Sequence, residues 1–224
     1  EIGSGLVGSE MCIRDRNLFL LKQYPEYIFN FEGAVKYAWM KEYYPAQYEE
    51  MKKFIESGRW HISGASWDAT DTLVPSIESA IRNIMLGQDY YRKEFGVEST
   101  DIFLPDCFGF GWTLPAIASH CGLIGFSSQK LQWRNKPFYG NDKYPFTVGL
   151  WQGIDGSTIM MTHGYDYNQR FEDGDLSENK DLLELTGHSP LHMVYRYYGT
   201  GDIGGSPTLE SVRCLLYTSD AADE

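Results

Sequence analysis

Apolar positions along the chain fall into short blocks separated by Gly, Pro and polar residues, and the period inside successive blocks switches between that of a strand and that of a helix. Leu18, Leu20 and Leu21 predict the tail of a helix, and Tyr27–Phe31 a strand. Ala34, Tyr37, Ala38, Trp39, Tyr48, Met51, Phe54 and Ile55 recur at helical spacing with Pro45 between them, which predicts two short helices. Gly58 ends the second. Arg59–Ser66 reads as a strand and Trp67–Ser76 as a polar loop carrying Asp68 and Asp71. Ser76 with Ser79 opens a helix through Ile77, Ile81, Ile84, Met85, Tyr90 and Tyr91, closed at Phe95-Gly96. Ile102, Phe103 and Leu104 then form a buried strand that Pro105 stops, leaving Asp106 at its exit, with Gly109 and Gly111 allowing a close turn. Thr113–Cys121 reads as a helix with Pro115 in its first turn, and Leu123–Ser127 as the next strand.

Beyond Ser128 the pattern is less regular. Asn135–Phe146 reads as a loop, and Thr147–Trp151 with Thr158–Thr162 as a hairpin around Asp155-Gly156. Ser177–Leu185 predicts a short helix, Leu191–Tyr198 a last strand and Gly199–Pro207 a Gly-rich loop. Strands alternating with helices, without internal repeats or linkers, predict one α/β domain with a mainly parallel sheet. Carboxylates recur at strand exits, as Asp68, Asp106 and Asp202. The C-terminal rim of such a sheet is where ligands bind, which makes Asp106 a candidate catalytic acid. Asp is equally a favoured helix N-cap, so capping of the following helix fits the same pattern.

Charge and composition narrow the partners. A formal net charge of -12 opposes nucleic-acid phosphates and anionic membranes alike, so neither is expected as a partner. No stretch is apolar enough to span a bilayer, and no charged n-region followed by an apolar h-region opens the chain, which leaves its compartment open. Tyr and Trp, at 16 and 6 residues, suit sugar rings as well as a core. Residues 1–16 and 214–224 follow no helical or strand period and resemble translated sequencing-adapter sequence, so they are set aside as artefact-like tails. Cys12 and Cys214 fall in these tails. Cys107 and Cys121 match no zinc or redox spacing and are expected to be buried thiols.

Gly58-Arg-Trp-His-Ile-Ser-Gly-Ala-Ser-Trp67, Leu104-Pro-Asp-Cys-Phe-Gly109, Gln129-Lys-Leu-Gln-Trp133, Trp151-Gln-Gly-Ile-Asp-Gly-Ser157 and Gly201-Asp-Ile-Gly-Gly-Ser-Pro-Thr208 occur in the order seen in glycoside hydrolase family 38, the α-mannosidases. The chain resembles that family over nearly all of residues 17–213. The resemblance implies an incomplete (β/α)7-type barrel with mainly parallel strands, and a retaining, zinc-dependent α-mannosidase acting on mannose-containing glycans. It casts Asp106 as both nucleophile and zinc ligand, and over the helix-cap reading this one now prevails. It also casts Lys130 as a substrate contact, a position otherwise read as a surface lysine. Tyr165 and Tyr167 both fit the sugar-facing tyrosine, with Tyr167 preferred.

The resemblance also implies what lies outside the chain. The family's His-x-Asp zinc motif precedes the helix that ends near Gln23, and a further zinc His and the acid/base Asp follow Arg213. One metal ligand therefore falls within the sequence, and the 17–213 segment is expected to be an inactive portion of a catalytic domain. His61 lies within a predicted strand, His120 on a predicted helix, and His188 and His192 near the last strand, while His163 reads as a satisfied polar residue before it reads as a ligand. Asp71 and Glu78 read as loop and helix-start residues, and Asp202 as a turn former. Two other functions stay in view. A metal-dependent carbohydrate deacetylase uses a related barrel but needs closely spaced ligand histidines. A noncatalytic glycan-binding module would place aromatics on a sheet face and has no need of an acid at a strand exit.

Overall fold

The computed structural model describes residues 15–132, 147–164, 171, 175–200 and 206–221. They fall into two units, one drawn from residues 1–27, 143–147 and 164–224, the other from residues 28–142 and 148–163.

The second unit carries all six strands found among the described residues. In chain order it contains β1 (Phe29–Phe31), two helices at Ala34–Tyr43 and Pro45–Glu56, β2 (Trp60–Ile62), a long helix at Ile77–Phe95, β3 (Asp101–Phe103), a helix at Leu114–His120, β4 (Gly125–Ser128), β5 (Val148–Gln152) and β6 (Thr158–His163). With the helix at residues 15–23 taken as α1, these four helices are α2 to α5. β1 pairs with β2 in parallel. The remaining strands are ordered β3-β4-β6-β5, parallel except for the antiparallel β5–β6 pair. The fold is α/β, and the two ladders do not close into a barrel among the described residues.

Local chemistry accounts for the element ends. Pro45 takes the first position of α3, where its missing N–H is no loss, so the break predicted at Pro45 falls between two helices. Ser76 accepts from Ser79 N at the start of α4, and Gly96 ends that helix at φ 69, a left-handed conformation that Gly adopts without a Cβ penalty. A Cβ on Gly87 would stand 2.1 Å from Ala65 O, so only Gly lets α4 lie this close to the β2 exit. That exit is also tied to β3. Ala65 N donates to Asp101 O at 2.8 Å, while the Asp101 carboxylate accepts from Ser63 Oγ (2.7 Å), Gly64 N (2.8 Å) and Ser99 Oγ (2.9 Å). The core beneath β1 and β2 is aromatic: Trp60, Tyr37 and Tyr91 are buried among Phe29, Phe31 and Phe95 in mostly edge-to-face contacts.

The β5–β6 hairpin turns where Asp155-Gly156 predicts. Asp155 accepts from Ser157 N (3.1 Å) and Ser157 Oγ (2.6 Å), and lies 2.8 Å from His120 Nε2 at the end of α5. Ser157 first, and then His120, lower the Asp155 carboxyl from its ordinary 3.8 to about 2. A folded-state value below the unfolded one stabilises above the unfolded pKa, and the contribution is lost as pH falls through the folded pKa. Asp155→Asn is therefore expected to lower the urea midpoint relative to the parent chain above the carboxyl's ordinary 3.8, with the difference vanishing as pH approaches about 2. Equal midpoints at neutral pH would remove any role for this turn in stability.

In the first unit α1 buries Leu18, Leu20 and Leu21, and Tyr27 donates to Asn17 Oδ1 at 2.7 Å. Two further helices follow, α6 (Lys180–His188) and α7 (Leu209–Ala221). The strand predicted over Leu191–Tyr198 does not form. His192 N bonds back to Ser189 O, His192 takes φ 51, and Tyr195 N donates to Thr147 Oγ1 at 2.8 Å, so the segment opens on a turn and spends a backbone donor on a side chain. Beyond Arg213 the chain continues α7 without a break, where the sequence shows no continuing pattern, and Thr218 Oγ1 accepts from Leu176 N at 3.0 Å.

Candidate active site

Asp106 lies three residues past the end of β3, on a turn fixed against the exit of β4. Leu104 N donates to Ser127 O at 3.0 Å, and Gln129 N to Pro105 O at 3.3 Å. The peptides on the N-terminal side of Asp106 are thus held by the neighbouring parallel strand. α5 begins at Leu114 with Thr113 at its N-cap position, so Asp106 does not cap it. Its carboxylate is instead 58% exposed.

Lys130 is not a surface lysine. Its side chain is 8% exposed, with Nζ 2.7 Å from Asp106 Oδ1. The same ammonium lies 4.6 Å from the centroid of the Phe108 ring. A buried ammonium needs a counter-charge, and Asp106 supplies it while the Phe108 π face offers a second attraction. Lys130 is set in place by a short 3-10 turn (Lys130–Gln132) directly after β4, and its N–H donates to Ser128 Oγ at 3.1 Å. Two residues at the exits of adjacent parallel strands, 24 apart in sequence, are thereby brought into one ion pair.

Phe108 is the part of this region that the sequence does not single out. The signal for Phe108 was present as an aromatic two residues past the acid on a Gly-flanked turn. Trp67 turns its ring edge-on to Tyr90 of α4 at 5.8 Å. Cys107 and Cys121 are partly buried, short of the full burial expected. Cys107 donates to Thr70 O at 3.3 Å, and burial, reinforced by the carboxylates of Asp71 and Asp106, pushes its thiol up to about 11. The neighbour of Asp106 is therefore a protonated, unreactive thiol at neutral pH.

The remaining candidates are scattered. Tyr165, Tyr167 and Asp202 lie outside the described residues. His163 ends β6 and is fully buried; His61 is exposed on β2; His188 ends α6 and His192 sits in the turn after it. Glu78 lies in the first turn of α4 and pairs with Arg82 at 2.6 Å. Among the described residues no group of three or more His, Cys, Asp or Glu side chains could hold a metal ion.

Comparison with known proteins places this geometry in a family. Alpha-mannosidase G of Dictyostelium discoideum is 35% identical over 222 residues, covering 95% of this chain and 19% of the relative. Alpha-mannosidase 2C1 of Homo sapiens is 30% identical over 197 residues, covering 85% of this chain and 18% of the relative. The chain thus spans about a fifth of the length of these relatives. Among solved structures, an alpha-mannosidase from Enterococcus faecalis V583 superposes with a TM-score of 0.76 at 17% identity, over 96% of this chain and 24% of that one. The N-terminal domain profile of glycosyl hydrolases family 38 matches residues 12–219, and the chain belongs to that family.

Proposed function

We propose that this chain is part of the catalytic domain of a retaining α-mannosidase acting on mannose-containing glycans, with Asp106 as the nucleophile. The observation that carries the reading is the open Asp106 carboxylate on the turn after parallel strand β3, paired with buried Lys130. In a retaining mechanism one carboxylate attacks the anomeric carbon while a second carboxyl, about 5 to 5.5 Å away, protonates the departing oxygen. Water, deprotonated by that second group, then breaks the glycosyl ester and frees the first carboxylate. Asp106 has the exposure that attack requires. Lys130 aims it and offers a charged donor toward sugar hydroxyls, and Tyr167 is proposed as a further sugar contact. The strand exits around Asp106 fit the expected incomplete (β/α)7-type barrel, whose other strands would come from the rest of a longer protein.

The family's zinc does not fit the side chains described. A catalytic zinc ordinarily has three protein ligands, whereas among the described residues Asp106 stands beside an ammonium and in no group of three or more His, Cys, Asp or Glu side chains. Asp106 is proposed as one ligand of a site completed from elsewhere in a longer polypeptide. The 224-residue chain is accordingly expected to give no p-nitrophenyl α-mannoside turnover and no stoichiometric zinc after gel filtration, and a family-length polypeptide containing it to give both. Turnover by the chain alone would show that the other ligands and the second carboxyl are dispensable. The family match supports this reading over the deacetylase and binding-module readings.

A further inference from the structure

Asp106 is held on its C-terminal side by a segment outside the five stretches that carry the resemblance. Residues Thr70–Val74, from the loop between β2 and α4, lie across Cys107–Gly109. Thr70 O accepts from Cys107 Sγ at 3.3 Å, and Thr72 Oγ1 donates to Gly109 O at 2.9 Å. Leu73 lies so close to Gly109 that a Cβ there would stand 2.7 Å from Leu73 Cδ1, and Gly109 itself takes φ +105. The segment crosses the Asp106 turn immediately downstream of the acid, opposite the hold that Ser127 and Gln129 supply upstream.

Packing does not place this strap. Leu73 and Val74 are 58% and 85% exposed, and Asp71, Thr72 and Leu73 line a cavity of about 230 Å³ floored by Ile84, Ile102 and Leu114. Thr70 Oγ1 donates to Asp71 O at 3.0 Å, and the turn that follows is closed by the Asp71 side chain. Asp71 Oδ1 accepts from Leu73 N at 2.7 Å and from Val74 N at 3.0 Å, closing a tight turn that points Thr70 O and Thr72 Oγ1 at the Asp106 loop.

We infer that Asp71 is a positioning residue for the Asp106–Lys130 pair, acting through the Thr70–Leu73 strap. The inference deepens the mannosidase reading, because Asp106 is the nucleophile of that reading, yet its consequences are measurable without a sugar. Asp71 is read from the sequence as a loop former, and the structure gives that turn a target. Without it, the 107–109 backbone loses its downstream hold, and the Asp106 carboxylate is free to leave Lys130.

The experiment uses the full chain with Cys12, Cys121 and Cys214 replaced by Ser, so that Cys107 is the one thiol. Its rate of modification by a disulfide reagent and the ¹³Cγ resonance of Asp106 are compared for Asp71→Ala, Asp71→Asn and Thr72→Val. Asp71→Ala is expected to raise the Cys107 rate by about tenfold, as loss of two charge-assisted hydrogen bonds implies for local opening, and to shift the Asp106 resonance. Asp71→Asn, whose amide oxygen accepts the same two N–H groups, is expected to keep both within about twofold of the parent chain. Thr72→Val, which keeps the volume and removes the donor to Gly109 O, tests the strap if Asp71→Ala fails to fold. Unchanged Cys107 rates and Asp106 resonance in Asp71→Ala, or in Thr72→Val where Asp71→Ala does not fold, overturn the inference. So does an Asp71→Asn chain that behaves like Asp71→Ala. If the strap responds as expected while a family-length polypeptide shows no mannoside turnover, the clamp stands and the mannosidase reading falls.

Discussion

Asp106→Asn in a family-length polypeptide carrying this chain is expected to lower p-nitrophenyl α-mannoside kcat by about 10³-fold or more, as loss of a covalent nucleophile does elsewhere. Asn is close in shape to Asp and keeps one oxygen for Lys130 Nζ, which lies 2.7 Å from Asp106 Oδ1, so folding should survive. The exposed position supports this, since the side chain is 58% accessible and fills no core. The expected signature is therefore a collapse of kcat in a chain that still folds, with the melting temperature lowered by loss of the counter-charge to buried Lys130. A variant that retains more than about a tenth of the parent rate would remove Asp106 from covalent chemistry, because residual catalysis from binding and charge is orders of magnitude smaller. Lys130→Met separates the pair. It leaves the carboxylate in place without its partner, and a rise in KM larger than the fall in kcat would mark Lys130 as a substrate contact.

Trp60→Ala is expected to cost about 3 to 5 kcal/mol of unfolding free energy, the range for truncating a buried large aromatic. Trp60 is 1% exposed at the start of β2. Its ring meets Phe29 edge-on at 4.8 Å and Phe31 at 5.8 Å. Its indole N–H donates to Tyr37 OH at 3.1 Å, and that hydroxyl in turn donates to Phe31 O at 2.9 Å. Truncation leaves a cavity and takes a polar partner from a buried hydroxyl, so two destabilising effects act at one site. Burial pushes the Tyr37 hydroxyl far above the usual tyrosine range, which keeps it protonated and able to donate to Phe31 O. His61→Ala, the next residue on the same strand and exposed, should change stability by less than about 0.5 kcal/mol in the same urea titration. Equal effects at Trp60 and His61 would mean that the aromatic cluster does not hold β1 and β2 together.

What the sequence determined by itself was whatever depends on neighbours in the chain. Helical spacing and Pro45 predict α2 and α3; Ser76, Ser79 and Gly96 predict both ends of α4; and Asp155-Gly156 predicts the β5–β6 turn, because caps, breakers and turns act over a few residues. Asp106 could be placed at a strand exit for the same reason. The pattern failed at Leu191–Tyr198, where an apolar, β-prone run has the composition of a strand but turns where His192 N bonds to Ser189 O and gives Tyr195 N to the Thr147 hydroxyl. Tertiary structure alone decided whether Asp106 caps the following helix or stands open beside Lys130. That choice depended on α5 starting as late as Leu114, and on β4 carrying Lys130 into the neighbouring exit. Lys130 reads as a surface residue in one dimension because nothing near it in sequence is acidic; its counter-charge arrives from across a parallel ladder. Asp71 shows the same division: its turn is local and legible, whereas the backbone that the turn grips lies 37 residues downstream and is brought there only by the fold.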